Sequence, residues 1–428
     1  MPQFEPLQTD RKTDVLIIGG GLAGLLCAHR LRLAGVDCVL VEQNRLCAGI
    51  TGNTTAKITV QHGLIFDKLI RMFGAEKARC YLQANQAALE QYRTMCRNID
   101  CDFESRDCVV YSMDDREKIE REGEALGTLG ADVRILSHLP LPFPVAGAVR
   151  VGNQAQFHPL KFAAALAAEL PICEHTKVRE LMPGKAVTDR GTIQAEKIIV
   201  ATHFPFLNKH GGYFLKMYQH RSYVLSLKQG LNDSGMYVDE KKTGLSFRSW
   251  GDLLLLGGGG HRTGKSGGNW RELERFAAEH FPQAKIAARW AAQDCMTLDG
   301  IPYVGQYGRT TPNLYVATGF NKWGMTSAMA AAMILCDLVQ GKENPWAEVF
   351  SPSRTILRPQ LAVNAGESVW NLLTPTTPRC PHLGCALKYN PAEHSWDCPC
   401  HGSRFDRGGK VLDNPATDDK RDLTRWKK

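Results

Sequence analysis

Asp14-Val-Leu-Ile-Ile18-Gly-Gly-Gly21-Leu-Ala-Gly24 decides the fold. Asp14 to Ile18 is a short apolar run, as expected of a parallel strand buried on both faces. Gly19, Gly21 and Gly24 follow at once as G-x-G-x-x-G, and Leu25 to Leu33 has helical character. Val39-Leu-Val41 is the next strand and ends at Glu42, about 20 residues after the glycines, where a ribose-binding acid belongs. Gly19 allows the tight turn, Gly21 lets backbone approach a pyrophosphate, and Gly24 permits close helix–strand packing. The helix N-terminus attracts phosphate, and Glu42 would take the adenosine ribose hydroxyls. A lone glycine motif is a weak signal. With strand, helix and acid in place it reads as dinucleotide binding, and leaves FAD or NAD open.

Working outward, Thr51-Gly-Asn-Thr54-Thr55-Ala56-Lys57 is a small polar loop suited to lie beside a ring system; the plain alternative is a surface loop. Lys197-Ile-Ile-Val-Ala201-Thr202 is a further buried strand ending in small residues. Thr297-Leu-Asp299-Gly-Ile-Pro302 precedes Leu314-Tyr-Val-Ala317-Thr318-Gly319, which runs through Gly324-Met325-Thr326 into a helix to about Gln340. The N-terminus of that helix places positive potential on a bound group.

The other end of the chain carries a different chemistry. Cys380-Pro-His382-Leu-Gly-Cys385 and Cys398-Pro-Cys400-His401-Gly-Ser403 supply a C-x-H pair and a C-x-x-H pair. Two thiolates on one iron and two imidazoles on the other can hold a [2Fe–2S] cluster. A structural zinc site would favour unmixed C-x₂₋₄-C and H-x₃₋₅-H pairs. Each pair here is mixed, which favours Cys380, Cys398, His382 and His401 as cluster ligands.

These segments resemble the FAD-dependent oxidoreductases of the D-amino-acid-oxidase superfamily over most of residues 13–350, and Rieske domains of the high-potential type from Cys380 to Pro415. The fold implied is α/β. A Rossmann-like FAD-binding domain (about 13–60, 145–210 and 290–350) interleaves with a mixed-sheet substrate domain (about 210–290). A helical excursion (61–145) completes residues 1–354; a connector (355–378) and a small β-rich Rieske module (379–428) follow. The resemblance implies FAD in an extended pose. Gly19, Gly21, Leu22, Ala23, Gly24 and Glu42 would hold the ADP half, and the backbone at Val178 would touch adenine. Thr51, Thr54, Thr55 and Ala56 would line the flavin, with Ala201, Thr202, Asp299 and Gly319 nearby. Gly324, Met325 and Thr326 would face the flavin N1–C2=O edge. On the Rieske side, the resemblance implies a Cys385–Cys400 disulfide across the cluster and a Ser403 hydrogen bond to it. Phe405 stands where high-potential members often carry a donating Tyr, so a lowered potential is expected. Little strand pattern precedes Cys380, so the FAD domain must cover one side of the module, or the module is incomplete.

Residues 210–275 carry strand patterns, and His62, His220, Tyr223, Arg248, His261 and Trp323 are candidate substrate contacts; Arg248 could clamp a carboxylate. Neither a paired-carboxylate nor a Ser/His/Asp signature is visible. Hydride transfer from a C–N bond needs mainly alignment and a neutral amine. The expected activity is a dehydrogenase that oxidises a small amine or amino acid at FAD and passes electrons singly through the cluster to an external acceptor, a protein or a quinone. The alternative is an electron-transfer or redox-sensing protein reduced by a partner or by NAD(P)H. The glycines Gly257–Gly260 follow a strand but lead into no helix signal, which disfavours a nicotinamide site. A 2-His-1-carboxylate iron site, as an oxygenase would need, is also missing.

At 428 residues the length suggests two or three domains, and a 43% apolar fraction supports a real core. Net charge is +8 with both signs interspersed. The basic C-terminal residues Lys420, Arg421, Arg425, Lys427 and Lys428 are diluted by Asp418, Asp419 and Asp422, which argues against nucleic acid. Neither a transmembrane run nor a secretory leader is read. Most cysteines, such as Cys27, Cys38, Cys80 and Cys336, lie in apolar segments without paired spacing, as expected of reduced thiols in the cytoplasm.

Overall fold

The computed structural model describes all residues except 208–209, 232, 242–243, 376–377, 421–422 and 424–428. Much of the basic C-terminal run therefore lies outside the described residues. Among these residues three sheets form. The first is built on the opening stretch. Arg11–Ile18 pairs in parallel with Cys38–Val41 on one side and Thr192–Val200 on the other. Leu314–Thr318 extends it in parallel and Tyr303–Gln306 closes that edge antiparallel. Val15 and Ile17 pack on the helices Leu22–Leu33 and Gly324–Val339, whereas Leu16 and Ile18 face a second core with Tyr213 and Met217. Covering both faces explains why this strand is a continuous apolar run. The glycine turn is tight: Gly19 sits at φ +113°, and a Cβ on Gly24 would lie 2.0 Å from Gly19 O.

The second sheet runs Lys285–Thr297, Met217–Lys228, Leu253–Arg262, Ser246–Trp250, Met236–Asp239, Glu104–Ser112, Gly147–Gln156, Lys57–Ile58. It draws two strands, Glu104–Ser112 and Val133–Leu136, from the segment read as helical. The helices expected there form over Phe66–Phe73, Ala75–Cys96 and Arg116–Thr128. The polar start Glu104-Ser-Arg-Asp107 hides the first strand, because these residues lie toward the sheet end while Cys108 to Ser112 enter the core.

The third sheet is four short antiparallel strands between Lys388 and Asp413. The segment read as a connector carries a helix over Pro359–Leu373, started by proline at its first turn. The open side of the module is covered by the second sheet. Gln219 Nε2 donates to His401 O (3.0 Å) and Asn414 O (2.9 Å), and Gln293 Nε2 to Gly402 O (2.9 Å). Arg262 Nε donates to Pro399 O (3.0 Å). Side chains of the larger body thus satisfy backbone carbonyls of the second cluster loop and of Asn414. No described helix is long and apolar enough to cross a membrane.

Candidate cofactor and substrate site

A cavity of about 310 Å³ starts at the glycine turn. Gly19, Gly21, Leu22, Ala23, Glu42, Thr51, Thr54, Val178, Ala201, Thr202, Gly324 and Met325 all line it, so most of the expected cofactor residues converge from separate segments. A Cβ on Gly21 would reach only Thr51 Oγ1, at 3.4 Å, and would otherwise project into open space, the cradle an approaching phosphate needs. Glu42 accepts from the backbone N–H of Gly20 and Asn44, both at 2.8 Å, so it braces the glycine turn as well as facing the cavity. Its burial raises the carboxyl pKa, opposed by those two bonds. The residues fit an extended dinucleotide.

Gly24 closes the helix–strand contact instead of touching the cavity. Ala56, Asp299, Gly319 and Thr326 do not line it either, and Thr55 lines the second cavity described below instead. Asp299 is buried with both oxygens held by Arg354 (2.7 and 2.9 Å), which makes it a structural ion pair. Gly319 is a turn at φ +72° packed on Thr297. Thr326 Oγ1 donates to Thr59 O (3.0 Å) beneath the helix start.

One wall was not foreseen. Leu412, Asp413, Asn414, Ala416 and Thr417, from the C-terminal module, line the same cavity as the glycine turn. Asn414 Nδ2 anchors them by donating to Thr202 O (2.6 Å) and Phe204 O (2.8 Å). The end of a short strand and the loop after it carry no mark of the surface they will meet, and no sequence signal identifies them.

A second cavity of about 400 Å³ shares Thr54, Asp294, Asn321, Lys322, Gly324 and Met325 with the first. His62 and Trp323 stack there at 5.2 Å between ring centroids. His62 Nδ1 is 2.6 Å from Tyr81 Oη and Nε2 is 2.9 Å from Thr59 O. Burial pushes its pKa down to about 3, so the ring is neutral. Tyr223 reaches this cavity, but its hydroxyl donates to Glu393 of the module (3.1 Å) and meets His261 Nε2 (3.0 Å). His261 lies outside the cavity behind Tyr223.

Arg248 does not fit the clamp role. Its Nε donates to Gln156 Oε1 (2.9 Å), one terminal nitrogen to Phe157 O (3.1 Å) and the other to Thr55 O, and it lines neither cavity. Among the described residues Lys57, Lys68, Lys241 and Lys322 are the lysines that line the second cavity, and of these it is Lys57 that stands on the two-residue strand after the threonine loop. Its Nζ donates to Thr55 Oγ1 (3.2 Å), and burial, then the Arg248 charge, pushes its pKa down to about 7. The signal for it was a single charge in the otherwise uncharged stretch from Thr51 to Val60.

The cluster loops are near copies of each other. Cys380 N donates to Cys385 O (2.8 Å) and Cys398 N to Ser403 O (2.8 Å). Gly384 (φ +77°) and Gly402 (φ +85°) each stand four residues after the first cysteine and donate back to its carbonyl. The loops bring the His382 and His401 rings to 4.9 Å, nearly perpendicular. The thiols of Cys380 and Cys398 face each other, and the sulfurs of Cys385, Cys398 and Cys400 lie within 4.8 Å. Cys385 and Cys400 stand as neighbouring, unbonded thiols. His401 Nδ1 is buried without a hydrogen bond. A buried nitrogen donor among buried thiols is the donor set that an iron–sulfur cluster takes, so the residues fit the group.

A family model described as FAD dependent oxidoreductase matches residues 14–338. The chain belongs to this family. A Rieske [2Fe-2S] domain model matches residues 360–426 of the same oxidoreductase, so its cofactors are FAD and a [2Fe–2S] cluster. It is 35% identical to the Rieske 2Fe-2S iron-sulfur protein YhfW of Bacillus subtilis, over 97% of this chain and 94% of that one. It is 24% identical to gamma-glutamylputrescine oxidoreductase of Escherichia coli, over 79% and 86%. The fold matches L-proline dehydrogenase from P. horikoshii at a TM-score of 0.68 and 17% identity, over 81% of this chain and 98% of that one.

Proposed function

We propose that this oxidoreductase is a dehydrogenase for a small amine or amino acid, with its Rieske module as the internal electron outlet. The observation that carries the reading is the shared wall: Leu412 to Asn414, on the module, and Gly19 to Ala23 line one cavity. Bound at these sites, FAD supplies a two-electron acceptor and the cluster a one-electron route onward. Cys380 and Cys398 would hold one iron, and His382 and His401 the other. The buried place of Phe405 beside these loops fits a potential without a tyrosine donor. Cys385 and Cys400 are close enough to become a disulfide in an oxidised form.

The chain's own part of the reaction lies in the second cavity. Lys57, neutral above pH 7, takes the ammonium proton of the substrate and leaves the amine lone pair free as the neighbouring C–H bond is given up. The His62–Trp323 stack forms an uncharged wall that orients the substrate. The N-terminus of Gly324–Val339 adds positive potential where charge collects. Gln219 and Gln293 hold the His401 loop against the body that carries the FAD cavity. The names of the proline dehydrogenase and the gamma-glutamylputrescine oxidoreductase support a substrate with a carbon–nitrogen bond. Unbonded buried thiols such as Cys27 and Cys295 support a reducing, cytoplasmic setting.

The test is anaerobic. Amines, amino acids and NAD(P)H are added separately to the holoprotein, following flavin bleaching and the EPR signal of the reduced cluster. An amine or amino acid should produce both. Bleaching by NAD(P)H alone, or rapid peroxide formation in air without cluster reduction, would overturn the reading.

A further inference from the structure

The helix Pro359–Leu373 is turned inside out. Asn364, Glu367, Ser368 and Asn371 recur at i, i+3, i+4 and i+7, the spacing of a buried stripe, and this polar stripe faces the protein. Asn364 is 3% exposed and Asn371 1%. The opposite half is apolar and bare: Val369 is 57% exposed, Trp370 70% and Leu373 76%. Neither helix half can roll inward, because the polar stripe is bonded down. Asn364 Oδ1 accepts from Arg262 (2.9 Å), Glu367 pairs with Lys265 (2.8 Å) and the Asn371 carbonyl accepts from Ala386 N (2.9 Å).

We propose that this outward half is the interface between two copies of the chain. Size is the first argument. With Val363, 52% exposed, Leu372, 47% exposed, and Leu357, 80% exposed just before the helix, the face bares on the order of 700 Å² of apolar residue surface, above the roughly 300–600 Å² of the largest patch on a typical monomer and approaching one partner's share of a standard interface. Shape is the second. The N-terminal half of the face is thin along Ala362, Ala365 and Gly366, with Val363 exposed beside them, and the C-terminal half is thick with Val369, Trp370 and Leu373. Two such helices crossing antiparallel about a two-fold axis near Gly366 set the Trp370 of one copy over the Ala362 of the other. That is the self-complementarity a two-fold interface requires. Charge is the third. Glu367 is the helix's sole ionisable residue and it is turned toward Lys265, so the exposed half contains nothing that repels its own copy.

Sedimentation equilibrium of the full-length holoprotein at micromolar concentration tests this. The wild type should show twice the chain mass. Trp370→Glu, at a position already bare, should halve the mass while flavin and iron content and dehydrogenase rate stay unchanged. Gly366→Cys should cross-link to its own copy under mild oxidation, giving by mass spectrometry one disulfide-linked peptide pair joined at position 366 of both chains. A wild type that is monomeric throughout would overturn the proposal. So would a dimer that survives Trp370→Glu and forms no such cross-link. A monomer that co-sediments with phosphatidylglycerol vesicles through this face would overturn it in favour of a lipid surface.

Discussion

Replacing Glu393 by Gln should loosen the attachment of the Rieske module by about 3 kcal/mol at pH 7. Glu393 projects from the third sheet into the second. Its Oε1 accepts from Arg221 Nε (2.8 Å) and Tyr223 Oη (3.1 Å), and its Oε2 from Arg404 (2.8 Å) and the second Arg221 nitrogen. All three charged side chains are under 10% exposed. Burial alone would raise the carboxyl pKa, but the Arg221 hydrogen bond and charge, followed by Arg404, push it down from 4.5 to about 2. At 1.36 kcal/mol per pH unit this is a contribution of about 3 kcal/mol, at the lower end of the 3–5 kcal/mol expected when one partner of a buried pair is removed. The folded pKa lies below the unfolded one. The stability is therefore fully present above pH 4.5 and is lost as pH falls from 4.5 through about 2. Urea unfolding, followed by flavin fluorescence and by the visible circular dichroism of the cluster, should show the full gap between wild type and Glu393→Gln at pH 7, narrowing below pH 4.5. Replacing Arg221 and Glu393 together by Met should recover much of the loss, because no charge is then left alone. A single variant within about 0.5 kcal/mol of wild type at pH 7, or a gap that widens on acidification, would refute the argument.

Two further substitutions separate chemistry from cofactor binding. Lys57→Met should lower kcat/KM by about 10²–10⁴-fold and remove its rise through about pH 7, because the wild-type amine becomes a base only above its depressed pKa; flavin content should not change, and an unaltered pH profile would count against Lys57. Gly24→Ala places a methyl 2.0 Å from Gly19 O, so the purified chain should lack FAD by absorbance, and a full flavin complement would show that the turn can open without cost.

The parts legible in the sequence are those where chemistry restricts residue type at fixed local spacing. Gly19, Gly21 and Gly24 are set by one turn and one close packing contact, and both are visible within six positions. The cluster loops repeat a glycine four residues after a cysteine for the same reason. Arg248 was illegible because a cation on a strand does not reveal its partners, and here those are Gln156 and the carbonyls of Thr55 and Phe157. Asp299 followed the same rule with Arg354. The second cavity draws Lys57, Tyr223 and Trp323 from three distant segments, so their meeting depends on sheet order and not on spacing.

The shortness of the module, a difficulty in the sequence, becomes a reason for its chemistry once the contacts are known. The second cluster loop is tied to the larger body by Gln219, Gln293 and Arg262, whose side chains bond the carbonyls of His401, Gly402 and Pro399. A module held this way cannot leave the larger body without exposing those carbonyls and breaking the buried Glu393 pair. Of the residues that follow its last strand, Asn414, Ala416 and Thr417 line the cavity at the glycine turn, and Asn414 is bonded there to Thr202 O. In the proposed dehydrogenase the distance between the two redox groups is therefore set by folding, so that electron transfer within the chain needs no docking step and the external acceptor need only meet the cluster side.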